Sequence, residues 1–180
     1  MRKFKGALFD SYEGAWQTLT NYIYDGKYRP IMKIIIGSDH AGFMLKDQIK
    51  KYLADKKINV IDKGSFNEAS VDYPDYAALV AKEVQASGQI GILFCGTGLG
   101  VAMAANKFKG IRAAPCRTPY EAEMARQHND ANVLCIGGRT TSIADATQII
   151  DKFLSTDASS EERHVRRIEK IKALEKNMFK

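Results

Sequence analysis

The chain has 180 residues, 45% of them hydrophobic and 27% charged, and a net charge of +6. That length supports one domain with a real core, and no apolar run approaches the length of a bilayer span. The basic excess sits at the ends: five Lys/Arg against three Asp/Glu in residues 1–30, and seven against four in residues 161–180. These residues are neither interleaved with aromatics nor set in a nucleic-acid-binding motif, which argues against nucleic acid as a partner.

The first thirty residues differ from the rest. Phe9, Tyr12, Trp16, Leu19 and Ile23 fall near helical spacing, and the stretch ends at Pro30. It reads as an N-terminal extension of unknown role, covering residues 1–30. Met32 reads as the natural start of a compact domain. No long apolar N-terminal stretch of a secretory signal is present, and the three cysteines (Cys95, Cys116, Cys135) are too few and too far apart for a disulfide framework. A reducing cytoplasm is the expected compartment.

From residue 31 onward two periodicities alternate. Strand-length apolar runs occur at Met32–Ile36, Asn59–Ile61, Ile90–Phe94, Ile111–Ala114 and Val133–Ile136. Between them lie helical patterns. The first places Leu45, Ile49, Tyr52 and Leu53 on one side and Lys46, Lys50 and Lys51 on another. The second follows Pro74 with Tyr76, Ala77, Val80 and Val84, and the third is the alanine-rich run Val101–Lys107. The fourth opens with Thr118-Pro119-Tyr120-Glu121: a capping hydroxyl, a proline at the first helical position and an acid three residues after the cap. Ser142-Ile143-Ala144-Asp145 repeats that logic for the fifth, which turns Ile149, Ile150, Phe153 and Leu154 inward. Beyond a break at residues 157–160, Val165, Ile168, Ile171, Ala173 and Leu174 mark a final amphipathic helix over residues 160–178. Strands alternating with helices imply right-handed crossovers and a parallel sheet covered on both faces. Such α/β sheets bind ligands beyond the carboxyl ends of their strands.

Three segments carry residues suited to chemistry. The first strand runs into Gly37-Ser38-Asp39-His40-Ala41-Gly42, a carboxylate and an imidazole among small neighbours. A helix-capping Asp39 and a surface His40 are the alternative. The third strand ends in Phe94-Cys95-Gly96-Thr97-Gly98-Leu99-Gly100, a thiol followed by a glycine-rich turn and a helix start. Helix N-termini attract negative charge and favour thiolate, so the segment combines a base or nucleophile with a cradle for an oxyanion. A buried structural cysteine before a tight turn is the alternative. Val101 stands where a phosphatase loop needs arginine, no lysine follows the second glycine as in a Walker A loop, and the first turn lacks the Gly-x-Gly-x-x-Gly dinucleotide fingerprint. The third segment, Arg126-Gln127-His128-Asn129-Asp130-Ala131-Asn132, offers an imidazole that titrates near neutrality, or else a plain helix C-terminus. Gly137-Gly138-Arg139 follows the fifth strand. Arg163 and Arg167, four apart, share a helical face that suits a phosphate dianion or is simply solvated. No zinc-ligand spacing appears.

Together the segments at 37–43, 72–77 (Asp-Tyr-Pro-Asp-Tyr-Ala), 95–100, 105–108 (Ala-Asn-Lys-Phe) and 126–134 resemble the type B ribose-5-phosphate isomerases, of the ribose/galactose isomerase family. The resemblance runs from Met32 to about Leu174. It implies a Rossmann-like three-layer sandwich with a five-stranded parallel sheet and a C-terminal helix, and makes residues 31–180 a sugar-phosphate isomerase domain. It implies interconversion of ribose 5-phosphate and ribulose 5-phosphate through a cis-enediolate, with no cofactor and no metal. It implies a homodimer with active sites at the interface, a tetramer being left open, and neither nucleic acid nor membrane as a partner. Carried over, Cys95 is the base, His128 assists ring opening, and Asp39 and Thr97 join them in the catalytic set. Asp39, His40, Gly96, Thr97, Gly98, Leu99, Gly100, Asn129, Arg139, Arg163 and Arg167 bind substrate, with His128, Asn129 and Arg139 reaching in from the partner chain. Some members use a glutamate just after the turn as base; Val101 stands there, which sets this chain with the cysteine type.

Overall fold

The computed structural model describes residues 33–178. The helical spacing expected of Phe9, Tyr12, Trp16, Leu19 and Ile23 lies outside them, as does Met32.

Five strands, β1 (Lys33–Ser38), β2 (Asn59–Asp62), β3 (Ile90–Cys95), β4 (Ala113–Pro115) and β5 (Val133–Gly137), form one sheet in the order β2-β1-β3-β5-β4. Every pairing is parallel. The helices are α1 (Phe43–Asp55), α2 (Tyr73–Ser87), α3 (Leu99–Ala105), α4 (Pro119–Asn129), α5 (Ile143–Ser155) and α6 (Glu162–Met178). Strand residues alternate between two apolar layers, as a pleated strand must. Ile34, Ile36, Ile92 and Phe94 pack with α1, α4 and α5 through Leu45, Ile49, Ala122, Ile149 and Phe153. Ile35, Leu93 and Cys95 point the other way, toward Ala77, Val80 and Val84 of α2 and Val101 and Ala105 of α3. The sandwich is therefore three-layered, as expected.

From β1 the chain steps outward to β2 and then returns to the other side of β1 as β3. Crossovers leaving β1 and β3 diverge, which opens a crevice beyond their carboxyl ends. Asp39 and His40 follow β1 and Cys95 ends β3, so the crevice is flanked by residues picked out in the sequence.

Local chemistry sets the helix starts. Thr118 Oγ1 accepts the Glu121 N–H at 3.1 Å, and Ser142 Oγ accepts the Asp145 N–H at 3.1 Å. Several boundaries differ from expectation, those of α3 and β4 for local reasons. Helix α3 begins at Leu99, two residues before Val101, because Gly98 in the left-handed region (φ 78°) turns the chain straight into it. It ends at Ala105 rather than Lys107, with Asn106 as its C-cap. The Asn106 side chain pairs with the backbone N–H and carbonyl of Ala113, both at 2.8 Å, so β4 starts at Ala113 and Ile111 is a buried turn residue. In α6 the inward residues are His164 and Ile168, while Val165, Ile171 and Leu174 of its apolar stripe are exposed.

One buried ion pair braces the loop after β2. The Lys46 Nζ, 1% exposed, lies 2.7 Å from Asp62 Oδ1 and donates to the Ser65 carbonyl at 2.6 Å, while Lys50 reaches Asp62 Oδ2 at 2.6 Å. Burial pulls the Lys46 ammonium below its ordinary value. Burial also works to raise the Asp62 carboxyl, but hydrogen bonds from Lys46, Lys50 and the Gly64 N–H outweigh it and hold Asp62 below its usual range. A depressed carboxyl contributes stability above its unfolded value, and that contribution is lost as pH falls through the folded value. Asp62→Ala is expected to cost about 3 kcal/mol at neutral pH, because it strands a buried cation, an effect that Lys46 can limit by losing its proton. Urea denaturation across pH checks this: the gap between variant and wild type narrows once acid protonates Asp62 in the wild type.

Candidate active site

The thiol is aimed by its own turn. Cys95 is buried at the end of β3, and its Sγ accepts the Gly98 N–H at 3.1 Å. A side chain at Gly98 would bring a Cβ within 3.1 Å of the Ile136 carbonyl carbon, so the left-handed glycine is needed for space as well as for φ. The opening N–H groups of α3 have no partner inside the helix and lie in the same turn as the sulfur. Thr97 Oγ1 meets the Leu99 N–H only at 3.5 Å, so its hydroxyl is weakly engaged, and Thr97 is exposed.

Asp39 and His40 sit across the crevice. Asp39 is buried, and its Oδ1 accepts the Gly42 N–H at 2.9 Å while its own N–H donates to the Phe94 carbonyl. The aspartate thus does steady the entry to α1, which leaves its other carboxylate oxygen for a ligand. The His40 ring is held at Nδ1 by the backbone of Val71, whose N–H lies at 3.2 Å and carbonyl at 3.3 Å. The loops after β3 and β5 are tied: Gly138 N–H donates to the Cys95 carbonyl at 2.7 Å and Arg139 N–H to the Gly96 carbonyl at 3.0 Å. That tie sets the Arg139 side chain beside Gly96 of its own chain, 3.6 Å from where a Cβ would stand. Arg139 therefore joins the Cys95 cluster from the same chain, where the resemblance had it reaching in from a partner.

His128 and Asn129 lie elsewhere. They close α4, which runs into the amino end of β5, whereas Cys95 pairs with Gly137 at its carboxyl end. Four residues of strand separate Gly91–Val133 from Cys95–Gly137, about 13 Å at the usual rise. The surrounding polar run divides by role. Arg112 bonds the carbonyls of Asn129 and Asp130 at 3.0 and 2.8 Å and the Asp130 carboxylate at 2.7 Å; Arg126 reaches Asp130 at 2.9 Å; Asn132 accepts the Arg112 N–H. Arg126, Asp130 and Asn132 are thus the scaffold of the helix end, with Asp130 in the left-handed region (φ 45°). His128 lies flat on His164 of α6, ring centroids 4.1 Å apart and planes 4° from parallel. Arg163 and Arg167 flank His164 and are exposed; Arg163 pairs with Glu161 at 2.8 Å.

The other two cysteines are poor bases. Burial, then Glu121, pushes the Cys116 thiol up to about 12. Burial, then neighbouring Cys95 and Cys116, pushes Cys135 well above its usual value. Two site neighbours were not assigned from sequence. Tyr73 packs its ring where a Cβ on Gly100 would stand, 2.9 Å away, and so walls the glycine turn; it lies in the 72–77 segment quoted above. His164 lies in the arginine-rich tail run, hidden there by its charged neighbours. Among the described residues no group of three or more His, Cys, Asp or Glu is placed to hold a metal, and no helix is long and apolar enough to cross a membrane.

The model of the family described as Ribose/Galactose Isomerase matches residues 34–171, which span all five strands and most of α6. The chain belongs to the ribose/galactose isomerase family. It is 47% identical over 145 residues to the ribose-5-phosphate isomerase B of Escherichia coli, covering 79% of this chain and 96% of that one. A Clostridium thermocellum ribose-5-phosphate isomerase B is 45% identical and superposes with a TM-score of 0.79 over 82% of this chain and 99% of its own. A Mycoplasma genitalium ribose-5-phosphate isomerase B, solved with bound ribulose-5-phosphate, is 45% identical with a TM-score of 0.76 over 81% and 97%. The family places an isomerase's fold around the crevice that Asp39, His40 and Cys95 flank.

Proposed function

We propose that this protein is an aldose–ketose isomerase that interconverts ribose 5-phosphate and ribulose 5-phosphate through a cis-enediolate. The observation that carries the reading is the Cys95 sulfur, fixed by the Gly98 N–H at the mouth of the switch-point crevice, in a chain with 47% identity to a ribose-5-phosphate isomerase B. His128 gives a proton to the ring oxygen as the furanose opens, and the anomeric hydroxyl releases its own proton to solvent, leaving the C1 carbonyl. Cys95, as thiolate, then takes the proton from C2 of the aldose. The electron pair moves toward the C1 carbonyl oxygen, and backbone N–H groups of residues 96–100 and the Thr97 hydroxyl meet the charge that develops there. Preorganised donors of this kind contribute about 3–4 kcal/mol each. Return of the proton to C1, with the proton of the C2 hydroxyl passing to O1, completes the ketose; Asp39 and His40 hold the hydroxyls. Arg163 and Arg167 take the phosphate, far from the reacting carbons, and its binding energy orients the rest.

These roles need two copies of the chain. The Cys95, Asp39, His40 and Arg139 cluster and the His128, Asn129, Arg163 and Arg167 cluster lie at opposite ends of the sheet. A homodimer in which one end meets the other's opposite end assembles both sites at once. Leu99 (40% exposed) and Met103 (66% exposed) beside the cysteine turn are apolar surface of the kind an interface covers.

The test is turnover on a panel of five- and six-carbon aldose phosphates. Ribose 5-phosphate is expected to be isomerised, with hydrogen exchange from deuterated solvent into C1 of ribulose 5-phosphate. Turnover without any preference for the five-carbon substrate would move the assignment to a hexose 6-phosphate; no turnover on any of them would end the isomerase reading.

A further inference from the structure

His164 is buried, 3% exposed, and neither ring nitrogen has a hydrogen-bond partner among the described residues. Glu161 Oε2 lies 3.8 Å from its Nε2, beyond hydrogen-bond distance. A buried imidazole without partners is disfavoured relative to an apolar ring of the same shape. Its place is therefore not explained by packing alone. What it does touch is His128, face to face at 4.1 Å and 4°. His128 closes α4, where its ring would otherwise be free to turn about its side-chain torsions. Helix α6 is the element that covers it.

We propose that His164 is a positioning residue for His128: stacked ring on ring, it fixes the plane in which His128 presents its nitrogens to the substrate. The inference rests on the proposed role of His128 in ring opening. The stack also bears on the charge of His164. Burial, the charge of His128, and Arg163 and Arg167 beside it all disfavour a charged His164, and Glu161 opposes them weakly enough that its pKa stays below the ordinary value. Two imidazolium rings in parallel contact repel, which adds to the forces that keep His164 neutral. His164 stays flat against His128.

The experiment compares the full chain with His164→Phe, which keeps a flat ring, and His164→Leu, which fills the space without one. For His164→Leu, kcat on ribose 5-phosphate is expected to fall about tenfold or more with KM within about twofold, a part of the effect of general acid catalysis. His164→Phe is expected to restore kcat to within about threefold of wild type. Solvent deuterium exchange at C1 of ribulose 5-phosphate, an open-chain ketose, bypasses ring opening and is expected to be unchanged in both. In NMR titrations of the wild type, the His164 ring titrates below its ordinary range. Wild-type kcat in His164→Leu overturns the proposal. So does a loss that Phe does not restore, or a parallel loss of C1 exchange. Absence of C1 exchange in the wild-type enzyme would instead overturn the enediolate reading, leaving the titration arm to judge the stack.

Discussion

Cys95→Ala is expected to fold, to bind ribose 5-phosphate within about threefold of wild type, and to lose about a thousandfold in kcat, within the range for removal of a general base. The expectation follows from what the side chain contacts. Its sulfur accepts a single N–H, from Gly98, and its burial is at the end of a strand rather than in the middle of a layer. Alanine removes little volume, and the Gly98 N–H it leaves behind lies in the turn proposed to hold an oxyanion. Arg163 and Arg167, proposed to take the phosphate, belong to α6 and are untouched. A loss in kcat with binding intact is the signature of an interaction made only during proton transfer. Cys116→Ala serves as the control: its thiol, pushed up to about 12, cannot be the base, and that variant is expected to keep wild-type turnover. Steady-state kinetics with isothermal titration of ribose 5-phosphate checks both. Wild-type-like turnover in Cys95→Ala would require another base at the crevice, and Asp39, buried across from it, would become the candidate.

Much of the fold was legible because its determinants are local. The two capping sequences at Thr118 and Ser142 act within one helical turn, and the structure forms both bonds. The apolar runs of β1, β3 and β5 are buried on both faces and read as continuous, as parallel strands do. The errors have tertiary causes. Asn106 was read as part of a helix because its pairing with Ala113 depends on a turn that a linear pattern does not contain. The apolar stripe of α6 marked an amphipathic helix but not what it packs on, and the helix touches the domain mainly through His164 and Ile168. Ile171, Leu174 and Met178 instead line one side of an open groove of about 640 Å³ against Ile111 and Pro115, well away from Cys95. At the site, the residue types near the strand ends were legible because α/β topology gathers them at one end. Which cluster Arg139 joins was not, because it depends on the Arg139 N–H finding the Gly96 carbonyl. The His128–His164 stack was not legible either: 36 positions separate the rings, and only the packing of α6 on α4 brings them together.

Chains carrying Cys95→Ala and chains carrying His128→Ala are each expected to be nearly inactive as pure preparations, and to recover activity when mixed. The geometry dictates this. If a working site takes Cys95 from one copy and His128 from the other, a mixed dimer has one site lacking both residues and one site lacking neither. Random pairing makes half the dimers mixed, so a co-refolded equimolar mixture should reach about a quarter of wild-type activity, and mixed dimers purified through two different tags about half. The distance between the clusters opposes the alternative: about 13 Å of strand separates the Cys95 level of the sheet from the level at which β5 begins. A proton donor must come within hydrogen-bond reach of the ring oxygen that the same substrate presents while its C2 lies at the sulfur. No side-chain rotation of His128 spans that gap, and its ring is pinned by His164. A mixture that stays inactive after subunit exchange has been verified would mean that each chain closes its own site. In that case α4 and the cysteine turn would have to approach each other by a rearrangement of the sheet, which its five-strand pairing and two buried layers oppose.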